Sequence, residues 1–535
     1  MGQRHLDRLS VVDATFLHQE RHGSHMHIGG IAIFDGPPPP LEEVLGHIGG
    51  RLPMVPRYRQ KLAFPPFEAG RPLWIDDPNF TLEYHVRQTA LPSPGAEEQL
   101  LRLAARIASQ RLDRGKPLWE LWIVEGLEGN RFAVISKTHH ALVDGVSGAE
   151  LMTLLFDLAP EPAPRVEPDA PWQAEPEPGT AGLLAAGVRD AARTAVELAE
   201  TAVSAAGRPL TVAGKAAESA QALAEITWAA LNPPTRTPLN GPIGPHRRFV
   251  AVRGDLAEFR LIKNTFGGTI NDVVVSVVSG GIARWLHKRG VRTEGLHLRA
   301  CVPMSVRGLD ERTAMGNKIV IMLAPLPVYV EDPIERLRVV RAAMDGVKES
   351  KQALGARVIT DMQDFAPPTL LAQASRLAFS TRFYNVLVTN VPGPQFPVYM
   401  LGRELREVFP IAFLAEDKRL AVAIMSYNGR IGFGLIGDYD EMHDIDVVAR
   451  GIATAIDELV RLARSQSAEE VRAAEPVAVA KPPANGAGAS ARSRGRRGDS
   501  KTSRRTAARA AAPRRRGGGG RRGRAEPRGA EPPTA

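Results

Sequence analysis

Lys137-Thr138-His139-His140-Ala141-Leu142-Val143-Asp144-Gly145-Val146 is the stretch whose reading decides the fold of this chain. The residues before it, Arg131 to Ser136, are apolar and β-branched and bounded by turn residues, so they predict a strand. Two adjacent histidines therefore fall where a strand gives way to a loop, and Asp-Gly follows after three residues. An imidazole titrates near neutrality and can take up and return a proton within one cycle. Asp144 can hold the loop in shape, and Gly145 lets backbone come close to a ligand. A His pair alone is commonly surface or core filler. The full spacing at a strand end is far more specific, because several residue types must coincide.

Outward from this motif, 535 residues suffice for two or three domains with substantial cores. A single cysteine, Cys301, excludes an intrachain disulfide and fits a reducing compartment. It lies in a strand-like run and reads as a buried structural thiol. The polar start Met1 to Asp7 lacks the apolar core of a signal peptide. No stretch approaches the ~18 to 20 apolar residues of a membrane span. The expectation is a soluble or peripherally bound protein. The net charge of +9 is an average over unlike parts: residues 481–535 hold 16 Lys/Arg against three Asp/Glu, so the rest of the chain carries about −4.

The pattern predicts α/β units. Residues 1–160 form the first, with helices over 41–52 and 97–112 and strands over 27–34 and 132–136. A linker over 161–240 begins in the Pro-rich, acidic stretch 159–178 and continues as Ala-rich amphipathic helix over 181–231. The mixed sign of its polar face favours packing across the two halves over lying on a lipid surface. Residues 241–465 form the second unit: a buried helix over 270–285, strands over 318–323, 384–388, 420–426 and 431–436, and a closing helix over 444–464. From 466 to 535 the composition falls to Ala, Arg, Gly, Pro and Ser and predicts disorder.

Further runs accompany the His motif in order. They are Leu9-Ser10-Val11-Val12-Asp13-Ala14-Thr15-Phe16-Leu17, Pro117-Leu118-Trp119-Glu120, Pro238-Leu239-Asn240-Gly241-Pro242-Ile243-Gly244, Asn271-Asp272-Val273-Val274 and Asn390-Val391-Pro392-Gly393-Pro394. HHxxxDG resembles the signature of the coenzyme A-dependent acyltransferase superfamily. With the other runs, over residues 6–465, the chain resembles the bacterial wax ester synthase/diacylglycerol acyltransferases, triacylglycerol synthases of actinobacteria above all. The resemblance implies two chloramphenicol acetyltransferase-like α/β domains, joined by a helical linker, with a tunnel between them. Acyl-CoA enters on one side and the acceptor, diacylglycerol or a long-chain alcohol, on the other.

The resemblance makes His140 the general base that deprotonates the acceptor hydroxyl and then protonates the CoA thiolate, with no acyl-enzyme. His139 shapes the loop or hydrogen-bonds to His140. Asp144 has a triad-like reading, but the superfamily favours pairing with an arginine, for which Arg307 is the candidate. Gly145 N–H and the Asn271 side chain are candidate donors to the oxyanion; Asn271 also reads as a helix N-cap. Trp119 reads as scaffold. There is no dinucleotide motif, P-loop or spaced Cys/His set, so CoA is expected as a substrate, with no bound cofactor or metal. The basic tail has no aromatics to stack on bases, so nucleic acid is a disfavoured partner; anionic lipid and no partner remain open. Two other functions stay open: an acyltransferase with a polyketide or sugar hydroxyl as acceptor, and a non-catalytic protein of lipid droplets.

Overall fold

The computed structural model describes residues 6–21, 23–66, 71–142, 154–162, 172–189, 192, 196, 233–305, 319–349 and 381–474. The first part of the chain runs β1 (Asp7–Arg8), α1 (Val11–Gln19), β2 (His27–Asp35), α2 (Leu41–Arg51), β3 (Gln60–Ala63) and β4 (Leu73–Asp76). It continues through α3 (Leu82–His85), β5 (Val86–Ala90), α4 (Glu97–Ala108), β6 (Trp119–Leu127) and β7 (Arg131–His139). The second part holds β8 (Arg247–Asp255), α5 (Leu256–Phe266), α6 (Ile270–Lys288), β9 (Leu298–Ser305), β10 (Ile319–Leu326) and α7 (Pro333–Glu349). It closes with β11 (Val386–Pro392), β12 (Tyr399–Met400), β13 (Arg403–Ile411), β14 (Leu420–Tyr427), β15 (Arg430–Asp438) and α8 (Ile445–Ala474).

Two six-stranded mixed sheets organise these elements, in the orders β12-β13-β2-β7-β6-β5 and β10-β9-β11-β14-β15-β8, beside a small β1-β4-β3 sheet. The first large sheet is not built from the first half alone. β13 pairs antiparallel with β2, Ile411 opposite Gly29, although the sequence partition assigned 403–411 to the second unit. Alternation in a strand says which face is buried but not which sheet it joins. The glycines of β15 make room for the crossing strand. A Cβ on Gly432 would stand 2.0 Å from the Val408 carbonyl oxygen, and one on Gly434 1.9 Å from that of Pro410.

α6 explains why the second half holds together. Every residue from Asp272 to Ala283 is buried, so it is a core helix and its sequence is apolar nearly all round. Gly281 and Gly451 let it close on α8: a Cβ on Gly281 would meet the Ile452 side chain at 2.6 Å. Burying each large side chain of this core contributes roughly 1.5–3 kcal/mol. No single helix among the described residues is long and apolar enough to cross a membrane; α5 and α6 qualify only jointly, across a 99° bend. A separate apolar cluster joins the two sheets, with Ile31, Ile33 and Ile135 from the first and Phe249, Cys301 and Leu387 from the second.

The expected elements are present with longer strands: β7 runs through His139 itself, and β11 through Pro392, so Asn390 lies inside a strand. α8 continues to Ala474, so residues 466–474, expected to be disordered, are helical. Of the expected linker helices, residues 180–189, 192 and 196 are helical; the other residues of that stretch up to 231 lie, like the tail from 475, outside the described residues.

Candidate active site

The His pair stands on the seam between the halves. β7 ends at His139, directly opposite His27 of β2. The chain then tightens into a 3-10 turn, His140–Leu142. The His140 N–H donates to the Met26 carbonyl at 2.9 Å. One wall is α1, whose Phe16 ring stacks on the His140 imidazole with centroids 3.9 Å apart. The other wall is Phe413, edge-on at 5.7 Å, in the segment that leaves β13 to rejoin the second sheet as β14. The Ser24 hydroxyl fastens that segment through the Leu414 carbonyl at 2.7 Å. Arg247, at the start of β8, donates to the Gly23 carbonyl from the second half. His140 is thus enclosed by α1 and by the segment that carries the chain from the first sheet to the second.

Burial holds the His140 pKa down at about 4. The imidazole is therefore neutral at neutral pH. Its Nδ1 is buried with no hydrogen-bond partner among the described residues. A neutral imidazole is what proton abstraction from a hydroxyl requires.

His139 does not bond to His140. Its Nδ1 accepts the Ala141 N–H at 3.0 Å, which pins the turn carrying His140. Its Nε2 faces Glu20, 3.6 Å from Oε2. Burial alone would raise the Glu20 pKa, but His139 and Arg114 hold it below the usual carboxylate value. His27, across the ladder, is held well below 6.5 by burial and by the charges around it.

The flanking motifs are scaffold. Trp119 is buried in β6, stacks on His85 at 4.6 Å and donates Nε1–H to the Tyr58 carbonyl at 2.7 Å. Glu120 next to it takes the buried Lys137 ammonium at 3.1 Å. Lys137 also donates to the Ile107 and Gln110 carbonyls at 3.2 Å each. Ser10 caps α1, accepting the Asp13 N–H at 3.1 Å, and so places Phe16 on the imidazole. Asn240 of the Pro238–Gly244 run accepts from Asn385 Nδ2 at 2.9 Å, and Leu239 accepts the Arg419 N–H at 2.9 Å, which anchors the start of β14.

The structure brings His139 and His140 together; Asp144, Gly145 and Arg307 lie outside the described residues. Asn271 is not the cap of α6. Thr269 is, accepting the Asp272 N–H at 3.3 Å while Asp272 accepts the Thr269 N–H at 2.7 Å. Asn271 sits inside the first turn, half-buried, with Nδ2 lacking a partner among the described residues, and no hydrogen bond or ion pair there joins it to the His pair. Sequence reading passed over Phe16, Phe413 and Glu20. Phe16 stood inside a quoted motif; for the other two no sequence signal exists, since the fold alone brings them to the histidines.

Two α/β halves, the second lending β13 to the first sheet and His139 and His140 standing on their seam, define a protein of the chloramphenicol acetyltransferase-like, CoA-dependent acyltransferase class. Residues 9–274 match the wax ester synthase/diacylglycerol acyltransferase catalytic domain and residues 315–460 the WS/DGAT C-terminal domain. The chain belongs to the wax ester synthase/diacylglycerol acyltransferase family. A Mycobacterium tuberculosis (strain H37Rv) protein named probable diacylglycerol O-acyltransferase tgs1 is 33% identical over 88% of this chain and 99% of its own. The wax ester synthase/diacylglycerol acyltransferase of Marinobacter aquaeolei VT8 superposes with a TM-score of 0.59 at 26% identity, over 85% of this chain and 100% of that one. TRI3 trichothecene 15-O-acetyltransferase of Fusarium sporotrichioides shares the fold, with a TM-score of 0.54 at 12% identity, over 84% of this chain and 94% of that one.

Proposed function

We infer that this protein is an O-acyltransferase that moves a long-chain fatty acyl group from acyl-CoA to the hydroxyl of diacylglycerol, and to long-chain alcohols, with His140 as general base. Family membership and the relatives named as diacylglycerol O-acyltransferases support the reaction. The observation that carries the role of His140 is its neutral imidazole, held between Phe16 and Phe413 where the halves meet.

The acceptor O–H gives its proton to the imidazole as the oxygen attacks the thioester carbonyl carbon. The C–O bond forms and the carbonyl oxygen gains negative charge, which N–H donors must stabilise; the Gly145 backbone and the Asn271 amide remain the proposed donors. The tetrahedral species collapses, the C–S bond breaks, and the imidazolium returns its proton to the CoA thiolate. The products are an ester and free CoA, and no acyl-enzyme forms. Asp144 keeps its proposed part in fixing the loop, with Arg307 as partner. The proposal places catalysis in the cytoplasm, with the +13 tail meeting an anionic membrane face or lipid droplet. CoA release from palmitoyl-CoA with dioleoylglycerol, compared between wild type and His140→Ala, tests the reaction and the base together.

A further inference from the structure

The reading of His140 as base leaves open what aims it, and the inference below rests on that reading. The imidazole cannot be held by its own ring contacts alone, since stacking leaves it free to slide. Its backbone is fixed by a turn, and the turn is fixed by the His139 Nδ1 accepting the Ala141 N–H at 3.0 Å. An acceptor nitrogen carries a lone pair, so neutral His139 must hold its proton on Nε2. That nitrogen lies 3.6 Å from Glu20 Oε2, just beyond hydrogen-bond length, where a carboxylate attracts the N–H dipole.

Glu20 is itself built in. Its side chain is 4% exposed. Arg114 grips its carboxylate, Nε to Oε2 at 3.0 Å, and reaches the Leu17 carbonyl at 3.1 Å. His27 Nε2 lies 3.9 Å from Oε1 and already faces the Leu112 N–H at 3.5 Å, so it offers Glu20 no strong donor. Glu20 also closes α1, its N–H donating to the Phe16 carbonyl at 3.2 Å. One residue therefore holds the element that stacks on His140 and faces the ring that pins the turn of His140.

We propose that Glu20 is a positioning residue of the acyl-transfer site: its carboxylate fixes His139 as the Nε2–H tautomer, and so aims His140. A ring flipped to Nδ1–H would point a donor at the Ala141 N–H and break the turn. The pattern is that of a carboxylate orienting an imidazole, displaced by one residue from the base.

The test uses the full chain labelled with 15N-histidine, the His139 ring signals being assigned by their loss in His139→Gln. In the wild type, Nδ1 of His139 should appear unprotonated and Nε2 protonated. In Glu20→Gln the two nitrogens should move toward tautomer averaging. In the same variant kcat should fall by about tenfold to a hundredfold while the KM for palmitoyl-CoA stays within about twofold. Glu20→Asp, which keeps the charge, should recover part of kcat. A proton on His139 Nδ1 in the wild type overturns the proposal even if Glu20→Gln fails to fold. So does a Glu20→Gln kcat within about twofold of wild type, or an equal fall for Glu20→Gln and Glu20→Asp. A fully active His140→Ala is a separate result, and it removes the base rather than the tautomer.

Discussion

Replacing Phe16 by alanine should move the acid limb of the pH–rate profile upward. Phe16 is buried, and its ring covers one face of the His140 imidazole at 3.9 Å. The His140 pKa of about 4, against an ordinary 6.5, is first of all a desolvation effect. A base must be neutral to act, so wild-type kcat/KM should hold as pH falls and drop only near pH 4. Removing the ring admits water to the imidazole. Recovery to a pKa of about 6 would cut the neutral fraction at pH 5 from about nine-tenths to about one-tenth, close to a tenfold loss relative to pH 8. The depressed pKa also has a sign for stability. The unfolded chain binds the proton first, so the folded state loses stability as pH falls below 6.5, by at most about 3 kcal/mol once below pH 4. Phe16→Ala should lose less on acidification, while paying about 3–5 kcal/mol at neutral pH for the deleted ring. Phe16→Leu keeps apolar volume over the imidazole and should keep the low limb. CoA release followed from pH 4.5 to 8 reads all three proteins. An acid limb in Phe16→Ala that coincides with wild type would refute the claim that burial by Phe16 keeps His140 neutral.

Three other outcomes follow from the packing. Gly434→Val places a Cβ 1.9 Å from the Pro410 carbonyl oxygen and should destabilise by roughly 3 kcal/mol or more, seen as a lower Tm, whereas a Tm near wild type would mean that β13 does not lie against β15. Lys137→Met alone removes the ammonium from the buried Glu120, which keeps Arg87 at 3.4 Å, and should cost about 1–3 kcal/mol in urea titration, whereas Lys137→Met with Glu120→Leu should recover part of it; additive losses would contradict a coupled pair. Cys301 is buried, and its thiol pKa is pushed up to about 12, so a thiol reagent at pH 8 should label it only after unfolding.

How far the molecule was legible depended on distance along the chain. The strand into His139, the buried helix from Ile270 and the scaffold role of Trp119 rest on local periodicity and bulk, and the structure contains all three. The cap of α6 is also local: Thr269 and Asp272 have capping-box spacing. Membership of β13 in the first sheet was not legible, because a strand's alternation is the same whichever neighbour it takes. The glycines at 432 and 434 announce a close approach of some backbone, but only the fold names it as β13. Glu20 and Phe413 meet the His pair from opposite ends of the chain, and no spacing rule links them to it.

The central claim is that this chain acylates a diacylglycerol hydroxyl with His140 as the base. Purified wild type and His140→Ala, each offered palmitoyl-CoA with dioleoylglycerol and, separately, hexadecanol, test it most directly, with triacylglycerol, wax ester and free CoA quantified. The account predicts triacylglycerol with matching CoA release from the wild type, and a loss of about a hundredfold or more in a folded His140→Ala protein. Wild-type turnover by His140→Ala, or no transfer to dioleoylglycerol by the wild type, would contradict it.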